Sequence, residues 1–279
     1  MFQFLFRKSS FGYVLLLGLL LSAACASVKT SQSAKPTLFL IGDSTVKNGR
    51  GDGAGGLWGW GSFVGEYFDT TKVNVENHAL GGTSSRTFQT YGHWDKVLAK
   101  IQPGDYVMMQ FGHNDSSPVN DTLRARGTIR GVGEEMEEID NLITKKHEVV
   151  HSYGWYLRKF ISDIKAKGAT PIVVSPIPRN SWRDGKVNRD TNSYTQWAET
   201  VARTEGVAFI NLNELVANRY DKEGEEKVRS TYFNTKDRTH PIEAGSRVNA
   251  ELVVAGLKQL KNMPLAKYLN SAGKNASAM

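Results

Sequence analysis

The stretch TLFLIGDSTV, residues 37–46, decides the fold. Thr37 to Ile41 run without a polar interruption, which predicts a strand covered on both faces rather than one with a wet side. Gly42, Asp43 and Ser44 then follow at once. A buried strand that stops on a glycine, a carboxylate and a hydroxyl holds polar groups still at the rim of a sheet, where ligands bind in open α/β folds.

Outward from this stretch the same pattern recurs. VNVENH (73–78), DYVMMQF (105–111), TPIVVSP (170–176) and VAFINL (207–212) are short, β-rich runs. Helices are expected between them over 91–101, 149–167, 192–205 and 242–260. In GWYLRKFISDIKAKG (154–168), Leu157, Phe160, Ile161 and Ile164 keep helical spacing, and Gly168 supplies a stop. Strands alternating with helices predict an α/β fold: a flavodoxin-like three-layer α/β/α arrangement with a five-stranded parallel sheet in the order 2-1-3-4-5. Ser44, the loop NHALGGTSSR (77–86) and GHND (112–115) follow strands 1, 2 and 3, so they are expected to converge at one sheet edge.

The ends of the chain read differently. Arg7 and Lys8, the apolar run Phe11–Leu21 and small residues from Ser22 to Ala26 read as a secretory signal peptide over 1–24. An exported protein, periplasmic, cell-surface or secreted, is therefore expected. Cys25 is the sole cysteine of the 279 residues. It is either the lipid-bearing first residue of a lipoprotein, the one expected membrane link, or part of a cleavage site; the leucine stands one place too far from it for the usual lipobox. Residues 25–36 read as a tether, 37–265 as the folded domain and 266–279 as a flexible tail. With one cysteine there is no disulfide framework, and stability must come from an ordinary core. The 35 Lys and Arg against 28 Asp and Glu are spread without a run, which argues against nucleic acid and is compatible with an acidic polymer. A monomer is expected.

A serine becomes a nucleophile when a base takes its proton, an acceptor orients the base, and preorganised donors meet the oxyanion. Ser44 fits the first role, His240 of KDRTHPIEAG (236–245) the second and Asp237, three residues earlier, the third. Pro241 suits the first position of the helix that follows. The Ser44 N–H, a glycine N–H near Gly82 and the Asn114 amide are candidate oxyanion donors.

In Gly42-Asp43-Ser44, the Gly82 loop, Gly112-His113-Asn114-Asp115 and Asp237-Arg238-Thr239-His240 the chain resembles the SGNH (GDSL) hydrolases, block for block and in order. IGDSTV, GWGSFVGEYF, GGTSSRTF, GDYVMMQFGHND and HPIEAG most resemble the rhamnogalacturonan acetylesterases among them. The resemblance implies a catalytic triad of Ser44, Asp237 and His240, an oxyanion hole of Ser44, Gly82 and Asn114, no metal or organic cofactor, and an acetylated pectic polysaccharide or oligosaccharide as substrate. Another acetylated glycan or a short-chain acyl ester stays open as an alternative. Arg86 is either a contact for galacturonate carboxylates or a structural ion-pair partner. The segment 116–150 lies where that family varies, and is expected to form a loop over the cleft that sets what enters.

Two other motifs match only by string. HEVVH (147–151) is the H-E-x-x-H zinc pattern, expected here at the start of a helix, but Leu157 stands where the extended motif has its third ligand. Gly51, Gly53 and Gly56 satisfy G-x-G-x-x-G, yet they do not join a strand to a helix as a dinucleotide loop must. A non-catalytic carbohydrate-binding protein is the remaining rival, and it would have no use for a complete triad.

Overall fold

A computed structural model of the chain describes residues 35–48, 53–189 and 193–278. The expected signal segment, most of the tether and Cys25 lie outside those residues. Nine strands occur among the described residues: β1 (Thr37–Gly42), β2 (Asn74–Asn77), β3 (Tyr106–Gln110), β4 (Met136–Asp140), β5 (His147–His151), β6 (Thr170–Val174), β7 (Trp182–Arg183), β8 (Lys186–Val187) and β9 (Ala208–Ile210). The helices are α1 (Ser85–Thr90), α2 (His93–Leu98), α3 (Tyr153–Ala166), α4 (Tyr194–Thr204), α5 (Leu212–Glu223), α6 (Glu225–Tyr232), α7 (Glu243–Gln259) and α8 (Ser271–Asn275).

The central sheet runs β2-β1-β3-β6-β9, all parallel. Counting its own strands only, this is the expected order 2-1-3-4-5. The side-chain alternation of a strand explains the three layers. Leu38 and Leu40 of β1 join Met108, Ile172 and Val174 in a core closed by α5 and α7, while Phe39 and Ile41 join Val107, Met109 and Val173 in a second core closed by α1–α4. Each fully buried aliphatic or aromatic side chain stabilises the fold by roughly 1.5–3 kcal/mol. On α3 the predicted stripe of Leu157, Phe160, Ile161 and Ile164 is buried, and the Ser152 hydroxyl caps the helix by accepting from the Trp155 N–H at 3.1 Å.

Four expectations are corrected. The helix expected over 91–101 is shorter, α2 over His93–Leu98, and a separate short helix, α1, precedes it. HEVVH is not the start of a helix but strand β5, paired antiparallel with β4. A spacing of four residues puts His147 and His151 on one face of a strand as well as of a helix, but in a strand they stand roughly 13 Å apart, too far for one metal ion. Pro241 is not the first residue of the helix that follows it, since α7 opens two residues later at Glu243. The segment expected as a flexible tail is packed through residue 278: Leu269 is buried, pairs with Phe68, and Asn270 caps α8. No described helix is long and apolar enough to cross a membrane.

Candidate active site

The polar end of β1 is built by close approach. A Cβ on Gly42 would lie 2.5 Å from the Gln110 carbonyl oxygen and from Val46 Cγ2, so only glycine lets the chain turn there. Asp43 is fully buried and its Oδ1 accepts from the Thr45 N–H and hydroxyl, both at 2.8 Å. Gln110 donates to the Thr45 hydroxyl and in turn accepts from the Trp60 indole N–H. This chain of bonds holds the turn and leaves Ser44, between Asp43 and Thr45, at the cleft. Burial works to raise the Asp43 pKa, but His113, whose Nδ1 lies 3.4 Å from Oδ2, and the Thr45 donors hold it below the ordinary value. His113 is fixed on its other side, because Nε2 at 3.0 Å from the Ile177 carbonyl must carry a hydrogen to bond it.

At the far end of the chain, the turn before α7 organises Asp237 and His240. Asp237 Oδ1 accepts from the backbone N–H groups of Thr239 (2.7 Å) and His240 (2.9 Å), and Oδ2 lies 2.7 Å from His240 Nδ1. Burial raises the carboxyl, but these donors outweigh it and its pKa sits below the ordinary aspartate value. A carboxylate only accepts, so Nδ1 carries the hydrogen and Nε2 is left as the acceptor. Nε2 lies 2.7 Å from Ser44 Oγ. The three side chains named from the sequence therefore meet in one line, across 196 residues of chain.

The donors gather on the other side of Ser44. Asn114, 7% exposed at the end of the β3 loop, donates one amide hydrogen to the Thr83 carbonyl at 2.8 Å and keeps the second for the cleft. Its neighbour Asp115 accepts from the Ser85 N–H at 3.0 Å, tying this loop to the start of α1. Burial pushes the Asp115 carboxyl up to about 7 against the pull of those Ser85 bonds. Gly82 stands at φ +86°, a conformation that favours glycine, and a Cβ on Gly81 would lie 3.6 Å from Ser44 Cβ, so the glycine pair runs directly beside the serine. Neither the Ser44 nor the Gly82 backbone N–H bonds another described residue. Ser44, Gly82 and Asn114 line one open cleft of about 580 Å³ together with His240.

Arg86 is not in the cleft. It is fully buried, donates through Nε and Nη2 to both oxygens of Glu148 (2.7 and 2.6 Å), and through Nη1 to the Val119 and Gly127 carbonyls, both 2.8 Å. Of the two roles read for it, the ion pair is the one the geometry fits, and it anchors the 116–150 segment from inside. Removing one partner of such a pair strands the other, so Glu148→Gln is expected to lower unfolding free energy by about 3 kcal/mol at neutral pH. Burial tends to raise the Glu148 pKa, yet Arg86 and Asn141 hold it below the ordinary value of 4.5. The stabilisation is therefore complete above that value and is lost as pH falls through the depressed one, and urea titrations should find the gap between wild type and variant closing in acid.

The residues not picked out from the sequence are the basic ones of the cleft wall. Arg124 and Arg126 come from the 116–150 segment and Arg179 from the loop after β6. No carboxylate is among the described residues lining the cleft. Arg179 donates to the Thr239 hydroxyl beside His240. LRAR (123–126) was a visible signal, but local charge does not say which way a loop will fold.

Known proteins resemble this chain in sequence and in fold. The sequence matches the model of the GDSL-like lipase/acylhydrolase family over residues 40–248. It is 32% identical over 236 residues to the Bacillus subtilis protein named "Probable rhamnogalacturonan acetylesterase YesY", an overlap of 83% of this chain and 96% of that one. It is 30% identical over 232 residues to the rhamnogalacturonan acetylesterase of Emericella nidulans, covering 82% and 88% of the two chains. The crystal structure of the YxiM protein of Bacillus subtilis aligns with a TM-score of 0.65 at 26% identity, over 81% of this chain and 57% of that longer one.

Proposed function

The chain belongs to the GDSL-like lipase/acylhydrolase family and is a carboxylic ester hydrolase, and from that premise we propose that it removes acetyl groups from an acidic, pectic glycan through an acetyl-enzyme on Ser44. The observation that carries the reading is the line Ser44 Oγ, His240 Nε2, His240 Nδ1, Asp237 Oδ2, with both contacts at 2.7 Å. His240 takes the Ser44 proton as Oγ attacks the acetyl carbonyl, and the Asp237 carboxylate stabilises the imidazolium that forms. The tetrahedral oxyanion is met by the Ser44 N–H, the Gly82 N–H and the Asn114 amide. His240 then protonates the sugar oxygen as the C–O bond breaks. Water, deprotonated by His240, adds to the acetyl-serine, and collapse returns the proton to Oγ and releases acetate.

The substrate side of the proposal is supported by the wall of the cleft. Among the described residues, three arginines with no lining carboxylate favour a glycan that carries carboxylates of its own over a neutral one. The names of the two relatives point to the same class, rhamnogalacturonan. Acetate release from acetylated pectic oligosaccharides is expected to exceed that from acetylated xylan at equal acetyl concentration, and an equal or reversed preference would remove the substrate assignment. Arg124 is exposed and makes no side-chain hydrogen bond or ion pair with another described residue. Arg124→Ala is expected to lower the ratio of kcat/KM for the acidic over the neutral substrate by about fivefold, the scale of one exposed ion pair. Added salt should erode the wild-type ratio in the same direction.

A further inference from the structure

We propose that Arg126 is a positioning residue for the oxyanion site, holding the Gly82 carbonyl from outside and so fixing the backbone at Gly82, so that the N–H of the adjoining Gly81–Gly82 peptide stays aimed at the reacting carbonyl; this rests on the esterase reading of the Ser44 site. Arg126 Nη1 donates to the Gly82 carbonyl at 2.8 Å, and Nε donates to the Ser117 hydroxyl at 3.1 Å. A Cβ on Gly82 would lie 3.6 Å from the same Nη1, so the guanidinium packs on the glycine as well as bonding it. The next carbonyl, of Thr83, is held by Asn114. Two successive carbonyls of the glycine loop are thus gripped from two different parts of the chain. Gly81 and Gly82 have no side chains of their own to pin them, and an oxyanion donor works only when its direction is settled before the charge develops.

The turn that brings Arg126 there is built. Asp121 Oδ1 accepts from three backbone N–H groups, those of Leu123 (3.1 Å), Arg124 (2.6 Å) and Ala125 (2.7 Å). Ala125 is fully buried at φ +39°, a conformation rare for a residue with a Cβ, and it turns the chain between the two arginines. Gly127 closes the turn by donating to the Pro118 carbonyl at 2.9 Å, and its own carbonyl is taken by buried Arg86. The chain of support runs from the Arg86–Glu148 pair through this turn to Arg126, and from Arg126 to Gly82. A segment outside the four motif blocks therefore completes the site those blocks define.

The test compares wild type with Arg126→Met and Arg126→Lys on 4-nitrophenyl acetate, a small neutral ester that removes glycan charge from the question. Loosening a donor costs less than deleting one, so kcat is expected to fall about tenfold to a hundredfold in Arg126→Met with KM changed by less than about threefold. Affinity for a boronic acid that mimics the tetrahedral anion should fall in parallel with kcat, whereas affinity for acetate should not. Methylguanidinium added to Arg126→Ala should restore part of kcat. Turnover within about twofold of wild type, or a raised KM at unchanged kcat, would overturn the proposal, the second outcome because it marks direct substrate contact. If Arg126→Met does not fold, a kcat in Arg126→Lys equal to wild type overturns it and a reduced kcat at constant KM upholds it. A Ser44→Ala control separates the two readings: activity retained there removes the esterase site itself, whereas loss there with normal Arg126 variants removes only the clamp.

Discussion

Ser44→Ala is expected to lower acetate release by about ten-thousandfold or more while leaving thermal unfolding close to that of wild type. The magnitude follows from the unit character of the site: without Oγ there is nothing for His240 to activate, and what remains is whatever the oxyanion donors lend to attack by water. The stability expectation follows from where the hydroxyl sits. The turn is held by Asp43, Thr45 and Gln110, and among the described residues the Ser44 side chain bonds only His240, at 2.7 Å. Initial rates of acetate release together with a thermal melt read both halves. A Ser44→Ala protein that turns over at the wild-type rate would exclude the covalent scheme, whatever the melt shows.

Asn114→Ala is expected to cost roughly a hundredfold to a thousandfold in kcat, the usual loss for one oxyanion donor, with a smaller change in KM. The substitution removes two things. It deletes the amide hydrogen directed at the cleft, and it releases the Thr83 carbonyl that the other hydrogen holds at 2.8 Å, so the glycine loop loses one of its restraints. The split between kcat and KM distinguishes this from a binding role, because a donor used only in the transition state leaves ground-state binding nearly untouched. Steady-state kinetics on the neutral ester test it, and a loss confined to KM would remove Asn114 from the oxyanion site.

The parts of this molecule that were legible in the sequence are those where one local rule acts alone. β1, β3 and β6 are buried on both faces, so each reads as an unbroken apolar run, and their order follows from the handedness of crossovers. Ser44, Asn114, Asp237 and His240 were legible because each sits at a strand end or a helix approach, where the fold must place it at one edge. The β4–β5 hairpin was not legible. Met136–Asp140 exposes every residue but Ile139, so pairing rather than burial makes it a strand, and pairing leaves no periodicity to read. In β5 the zinc-like spacing suits a helix face and a strand face equally, and Val149 and Val150 were the only hint of which applied. Arg86 left two roles open because arginines are seldom buried, and here Glu148 and two carbonyls, distant in sequence, accept from it. Arg124 and Arg126 escaped notice for the converse reason: their direction is set by a turn whose geometry depends on Asp121 and on the anchor that Arg86 provides.

The most direct measurement is the site of covalent capture. Wild-type protein treated with an alkyl fluorophosphonate should displace the reagent's fluoride and carry one phosphonyl group on the peptide containing Ser44, with esterase activity lost in step with labelling, and His240→Ala should label far more slowly. A label on a different residue, or full activity in protein whose Ser44 is completely modified, would contradict the claim that this hydroxyl is the nucleophile.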